Sequence, residues 1–194
     1  MRSIKAMAAA AILAAAALAT GIGAALASGG DDDERTGRST AATTIYDAAG
    51  NRVGVAFFRQ RQGKTAVTTA VWNLAPGFHG FHVHAVGECV APFTSASGHL
   101  DLSPSGDADH GDHAGDLPSL LVNSDRTGEL HFATDRFTVD GLFDADGSAL
   151  VVHADRDNYA NIPDRYGGPD AETLATGDAG ARAACGVIER SWRR

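Results

Sequence analysis

Residues 52–60 read RVGVAFFRQ, with Val53, Val55 and Phe57 on one parity and Gly54, Ala56 and Phe58 on the other. A stretch so rich in β-branched and aromatic residues is a strand half buried against a core. The pattern extends to both sides, with TTIYD (43–47) before it and TAVTTAVWNL (65–74) and HGFHVHAV (79–86) after it. Between them lie AAGN, RQGK and APG, which are turn chemistries. Val67 and Val71 share a parity in the third stretch. The succession predicts a meander of short strands.

From Val90 to Pro118 the pattern stops. APFTSASGHLDLSPSGDADHGDHAGDLP (91–118) is built of small, polar and turn residues with three histidines. A connection of roughly thirty residues is long for a compact domain and needs something to order it, which metal ligation would supply. Strands resume at SLLVN, GELHFATDRFTVDGLF and SALVVHA, joined by SDRTG and DADG. A second irregular segment (155–184) precedes the last strand, CGVIE. No segment of this part carries sustained helical amphipathicity. Six to eight strands with two long loops predict an all-β antiparallel sandwich or flattened barrel with Greek-key connections.

The first thirty residues have a basic start at Arg2 and Lys5, an apolar run from Ala8, and Ala25-Leu26-Ala27 before Ser28. That is the build of a secretory signal peptide over residues 1–27. A retained membrane anchor is the competing reading, since the run approaches the roughly 20 residues that span a bilayer. No cysteine is near for lipid attachment. Residues 28–40 read as a polar leader, 41–190 as one folded domain and 191–194 as a basic tail. The expected location is therefore outside the cytoplasm: periplasmic, in the cell envelope, or secreted.

Of 194 residues, 24 are acidic and 16 basic, giving a formal charge of −8, and removing Arg2 and Lys5 takes it to −10. Such a chain lacks the basic surface that neutralises phosphates, which argues against nucleic-acid binding. Signal cleavage leaves no stable membrane contact. Two cysteines, Cys89 and Cys185, in a chain bound for an oxidising compartment read as one disulfide. Oligomeric state stays open between monomer and homodimer.

The histidines carry the chemistry. His82 and His84 sit two apart on a strand and so share a face, whereas His79 has the other parity and reads as supporting or packing. His99, His110 and His113 lie with Asp116 in the long loop, His153 ends the strand SALVVH, and His131 stands alone. Imidazole suits copper and zinc, and a carboxylate adds a harder ligand. Six histidines and one aspartate can supply two sites.

GFHGFHVH, GEC, FTSASGH, HAGDLP, LVVHADRDNYANIP and GDAGARAACGVI occur here in one order. With these motifs the chain, from Thr43 to Glu189, resembles the copper-zinc superoxide dismutases, especially the exported bacterial branch. The resemblance implies an eight-stranded Greek-key β-barrel of the sandwich type, with copper and zinc as cofactors and superoxide as substrate. It implies copper ligands His82, His84, His99 and His153, and zinc ligands His99, His110, His113 and Asp116, with His99 bridging. Asp157 matches the aspartate that hydrogen-bonds to one ligand of each metal. Arg182 matches the arginine beside the open side of copper, and Arg182 and His99 are the catalytic pair. Cys89 and Cys185 match the disulfide pinning the first long loop.

Two departures stand out. Only Gly111 and Asp112 separate His110 from His113, far fewer residues than the family pattern has there. Either His110 curls back to ligate, or zinc keeps fewer protein ligands. The segment 157–180 resembles the bacterial form of the loop near the active site, and Lys64 is the only lysine after the leader. Three rivals remain: a copper-buffering envelope protein, a structural sandwich ordered by zinc, and a zinc hydrolase. Arg182 and Asp157 favour the enzyme over the first, and the three additional imidazoles weigh against the second. No residue stands out as a general base for the third.

Overall fold

The computed structural model describes residues 39–191; the expected signal peptide, most of the leader and the last three residues of the tail lie outside the described residues. Ten strands occur in the order β1 (Thr40–Asp47), β2 (Arg52–Arg61), β3 (Lys64–Trp72), β4 (Gly77–His79), β5 (Phe81–His84), β6 (Leu120–Val122), β7 (Thr127–Thr134), β8 (Ala149–His153), β9 (Arg182–Val187) and β10 (Glu189–Arg190). One short helix, α1 (Ala171–Thr176), lies in the last long connection.

The strands form one curled antiparallel sheet in the order β5-β8-β9-β1-β2-β3-β7, with β10 also on β1 and with β4 and β6 as a separate pair. The fold is all-β and consistent with a sandwich. It is not the closed eight-stranded Greek-key barrel expected from the sequence. The ladder ends at β5 on one side and β7 on the other. Gly80 breaks the line between β4 and β5: its N–H donates to the Asp155 carbonyl, and its own carbonyl accepts from His153 N–H. β4 and β6 then pair over only three residues, Gly77 to His79 against Val122 to Leu120.

The core fills the inside of the curl. Ile45, Phe58, Val67, Val83, Leu120 and Leu150 are among its fully buried side chains. In β2 the buried parity is that of Gly54, Ala56 and Phe58, while Val55 is half buried and Phe57 is 56% exposed. Gly54 is confined between its neighbours β1 and β3: a β carbon there would stand 2.9 Å from the Val71 side chain and 3.2 Å from that of Ile45.

α1 was not expected. Asp170 caps it, its carboxylate accepting from the N–H groups of Glu172 and Thr173, and Gly177 ends it in the left-handed conformation. Those two residues were the local signal available; six residues are too few for a periodic pattern to show. Among the described residues, no helix is long and apolar enough to cross a membrane.

Candidate metal centre

The pairing of β5 with β8 sets the first half of the site. His82 stands opposite Val151 and His84 opposite Ala149, so both rings leave the same face. His153 ends β8 where the register with β9 shifts, between Val152 and His153, and is opposed by Arg182. A shift of this kind re-aims a side chain at a strand end. The long loop then runs antiparallel along the free edge of β5, with isolated bridges of His84 to His99 and His82 to Asp116. Val83 N–H donates to the Gly115 carbonyl, and Leu100 N–H to the Val83 carbonyl. A β carbon on Gly115 would come within 2.2 Å of the Val83 carbonyl oxygen, so the close approach requires glycine there.

Two sets of side chains converge. In the first, His82, His84, His99 and His153 offer ligand atoms within 4.8 Å of one another, all buried. Each of three rings has one nitrogen committed elsewhere. His84 Nδ1 faces the Ser97 carbonyl at 2.9 Å and His153 Nδ1 the Gly180 carbonyl at 3.1 Å, leaving their Nε2 atoms 3.3 Å apart. His82 Nε2 bonds to Asp157 Oδ2 at 2.7 Å, and its Nδ1 is buried with no hydrogen-bond partner. Outward anchoring by carbonyl or carboxylate is how ligand imidazoles are oriented, and an orphaned buried nitrogen fits a site that takes a cation.

The second set gathers on the other side of His99. His82, His99, His110 and Asp116 again offer atoms within 4.8 Å. His99 Nδ1 is 2.9 Å from Asp116 Oδ1, His110 Nδ1 is 3.3 Å from His99 Nδ1, and His110 Nε2 bonds to Asp157 Oδ1 at 2.8 Å. His113 Nδ1 lies 3.2 Å from Asp116 Oδ2 and is otherwise buried without a partner. His82 is near this set, but Asp157 occupies its Nε2. His110 thus curls back: the short spacing brings its ring in beside His99. Three imidazoles and a carboxylate fit the donor set of zinc, and the all-imidazole set fits copper.

Burial dominates the electrostatics. It holds the His84 imidazole well below its ordinary 6.5, with the charge of His99 next in weight. His99 falls to about 4 and His153 to about 3, again chiefly by burial, so all three rings are neutral at neutral pH. For His110 burial works against the charged ring, but hydrogen bonds to Asp116 and Asp157 outweigh it and raise the ring to about 9. Burial likewise opposes the carboxylates, yet His110 with His99 holds Asp116 well below its ordinary value, and His110 with His82 does so for Asp157. A charged ring between two carboxylates marks a place that favours a cation, and a metal at Nδ1 would displace that proton.

Arg182 lies beside this centre, half buried, and its guanidinium donates to the carbonyls of Phe93 and Ser97. Burial lowers its pKa. The Cys89–Cys185 disulfide ties the same loop to β9, with Cα atoms 5.7 Å apart. Cys185 packs with Phe93, Ala96, Ala149 and Val151 in a small second core, so the loop that fixes Arg182 is held covalently and by packing. His79, expected to support the site, places Nδ1 2.7 Å from the His153 carbonyl and Nε2 2.8 Å from that of Ala75. His131 stays outside the centre, exposed and bonded to Thr68.

Several participants act through the backbone rather than through a side chain. Ser97 and Gly180 act through backbone carbonyls, which any residue could supply. Leu174 of α1 accepts from His110 N–H at 2.6 Å. Gly177 has a positive φ of 61°, and a β carbon there would stand 2.2 Å from both His110 Nε2 and Asp157 Oδ1. Glycine is therefore required where α1 ends against the Asp157–His110 bond.

An all-β scaffold whose sheet edge and long loop share a histidine between two ligand clusters defines the class: a dinuclear metalloprotein built on β-strands. The chain belongs to the copper/zinc superoxide dismutase (SODC) family, whose sequence profile matches residues 52–188. It is 42% identical over 178 residues to the superoxide dismutase [Cu-Zn] of Mycobacterium tuberculosis, covering 82% of this chain and 74% of that protein. It is 32% identical to the extracellular superoxide dismutase [Cu-Zn] of Brugia pahangi, covering 79% and 77%. Among solved structures, the clock protein EA4 matches with a TM-score of 0.64 and 29% identity, covering 79% of this chain and 95% of that one. A double mutant of a SOD-like protein from Bacillus subtilis matches at 0.56 and 28%, covering 75% and 94%. The family and the two clusters make this chain a superoxide dismutase, with ligand sets consistent with copper and zinc.

Proposed function

We propose that His82, His84, His99 and His153 hold copper, that His99, His110, His113 and Asp116 hold zinc, and that Arg182 binds the superoxide anion. The observation that carries this reading is the position of His99, whose ring belongs to both clusters while its Nδ1 faces Asp116 and His110. Copper, when bound, supplies the one-electron change in both directions that zinc cannot.

The residues of the chain do the rest. Two superoxide anions and two protons become one dioxygen and one hydrogen peroxide. Arg182 offers fixed donors to a small anion, and the Phe93 and Ser97 carbonyls keep the guanidinium in place. With Nδ1 on the Asp116 side, His99 would carry one of the two protons on Nε2 when that nitrogen is not ligating, and solvent supplies the other. Asp157 orients one ring of each cluster, and His79 braces the His153 backbone.

The chain works outside the cytoplasm, in the periplasm or envelope or after release. The secretory build of residues 1–27 supports this, as does a disulfide that an oxidising compartment preserves. It acts as a monomer or homodimer without membrane or nucleic-acid partners, since every ligand of both clusters comes from one chain and the net charge is negative.

The test pairs metal content by mass spectrometry with a dismutation assay on the purified chain. We expect one copper and one zinc per chain with rapid superoxide removal. Copper bound without activity would make it a buffering protein, and activity with a single metal would remove the zinc assignment.

A further inference from the structure

Residues 110–116 supply three of the ligands assigned to zinc from a turn of seven residues, and two side chains outside the ligand set contact that turn. Arg136, in the connection between β7 and β8, donates through Nη1 to the His113 carbonyl at 2.9 Å. Tyr159, just after Asp157, sets its ring near-parallel to that of His110, with planes 22° apart and centroids 6.4 Å apart. Its hydroxyl oxygen accepts from Ser119 N–H at 2.7 Å and pairs with the Ser119 hydroxyl at 2.8 Å, which fixes the far end of the ring. Its own N–H donates to Asp157 Oδ1 at 2.7 Å, the oxygen that holds His110 Nε2. Asp116, Arg136 and Tyr159 line one cavity of about 370 Å³ behind the second cluster.

The turn's internal bonds do not account for its placement. Asp116 Oδ2 accepts from Gly111 N–H and His113 N–H, which shapes the turn, while Val83 N–H on the Gly115 carbonyl and His110 N–H on the Leu174 carbonyl attach its two ends and leave its middle to other partners. Arg136 reaches it from the end of β7, and Tyr159 from the loop after β8, the strand that carries His153.

We propose that Arg136 and Tyr159 are positioning residues for the compact zinc turn, presetting His110, His113 and Asp116 for a divalent ion. This rests on the zinc assignment of those ligands. Ordering a ligand-bearing turn before binding removes an entropic cost from the binding step, and outer partners of metal ligands typically matter by 10–100-fold in affinity. Copper ligation is expected to change little, because three of its four assigned ligands, His82, His84 and His153, stand on strands and only the shared His99 comes from the loop.

The test uses the full chain with copper loaded first and Co²⁺ as the probe, followed by its visible absorption and by displacement with Zn²⁺. Wild type is expected to take one Co²⁺ that Zn²⁺ displaces. Arg136→Met and Tyr159→Phe should each weaken Co²⁺ and Zn²⁺ by about tenfold. Arg136→Lys, which retains a donor, should recover most of the loss. The copper absorption and the melting temperature of the metal-free chain should stay as in wild type. Wild-type affinities in Arg136→Met and Tyr159→Phe would overturn the proposal. So would a fall in metal-free melting temperature that tracks the affinity loss, which would make the pair ordinary scaffold. If wild type itself takes no Co²⁺ or Zn²⁺, the zinc assignment falls first.

Discussion

Asp157 bonds to one ring of each cluster. Its Oδ2 holds His82 and its Oδ1 holds His110, and both oxygens are buried. Asp157→Asn keeps the shape but turns an amide NH₂ toward one ring, so one of the two orienting bonds is lost. Affinity at the site whose ring faces the amide NH₂ should fall by roughly 10–100-fold and the other site should change less, read as each metal retained after dialysis against a graded chelator series. Retention equal to wild type would mean the rings are held by packing alone. Arg182 acts differently, through its charge. In a chain of formal charge −8, the proposed reading makes the Arg182 guanidinium, beside the first cluster, the local attraction for an anion. Arg182→Ala should lower the dismutation rate by about tenfold and flatten its dependence on ionic strength, with metal content unchanged. Pulse radiolysis across a salt series measures both.

At the scale of elements, the strands and the His82–His84 pair were legible because a period of two is a local property. The convergence of His99, His110, His113 and Asp116 was legible as a set of ligand types but not as a place. Which edge the loop follows depends on the Val83 bonds to Gly115 and Leu100, and these join segments distant in sequence. Resemblance supplied the assignment, and the HGDH spacing left the role of His110 open; its ring stands between His99 and Asp157, and its ligation belongs to the proposed zinc site. The closed barrel failed for the same kind of reason, since closure depends on pairing at β4 and β6, each only three residues long. The disulfide, in contrast, needed only two cysteines. It joins the 89–97 loop to β9, and Arg182 depends on that loop through the Phe93 and Ser97 carbonyls. Replacing both cysteines by serine should cost about 4 kcal/mol of stability, from the restriction of a loop of 96 residues, read by urea unfolding. Activity should fall more than metal content, because both carbonyl partners of Arg182 lie in that loop, whereas among the β5 and β8 rings only His84 has a partner there, the Ser97 carbonyl. Equal losses would place the effect in general unfolding.

For the whole molecule, the metal-free chain buries a cluster whose proton affinities pull in opposite directions. His84, His99 and His153 are depressed below 6.5, so as pH falls from 6.5 toward 4 the unfolded chain takes protons that the folded chain refuses. Stability must then decline with falling pH, by up to about 1.4 kcal/mol per pH unit for each ring. Below 3.8 the decline continues, because Asp116 and Asp157 are stabilised as carboxylates and lose that contribution when protonated. His110 has the opposite sign. Raised to about 9, it contributes fully below 6.5 and loses its contribution as pH rises through 9. The metal-free chain should therefore be most stable near pH 6.5, with an acid limb steeper than the alkaline one. Metals bind the deprotonated rings, so loading copper and zinc should raise stability and carry the high-stability region to higher pH, where His110 no longer needs its proton. Urea midpoints of the metal-free and loaded chains, measured every half unit from pH 4 to pH 10, give both curves. A metal-free profile flat between pH 4 and 6.5 would mean the three rings are hydrated in solution, and the buried convergence that defines the copper set would have to be abandoned.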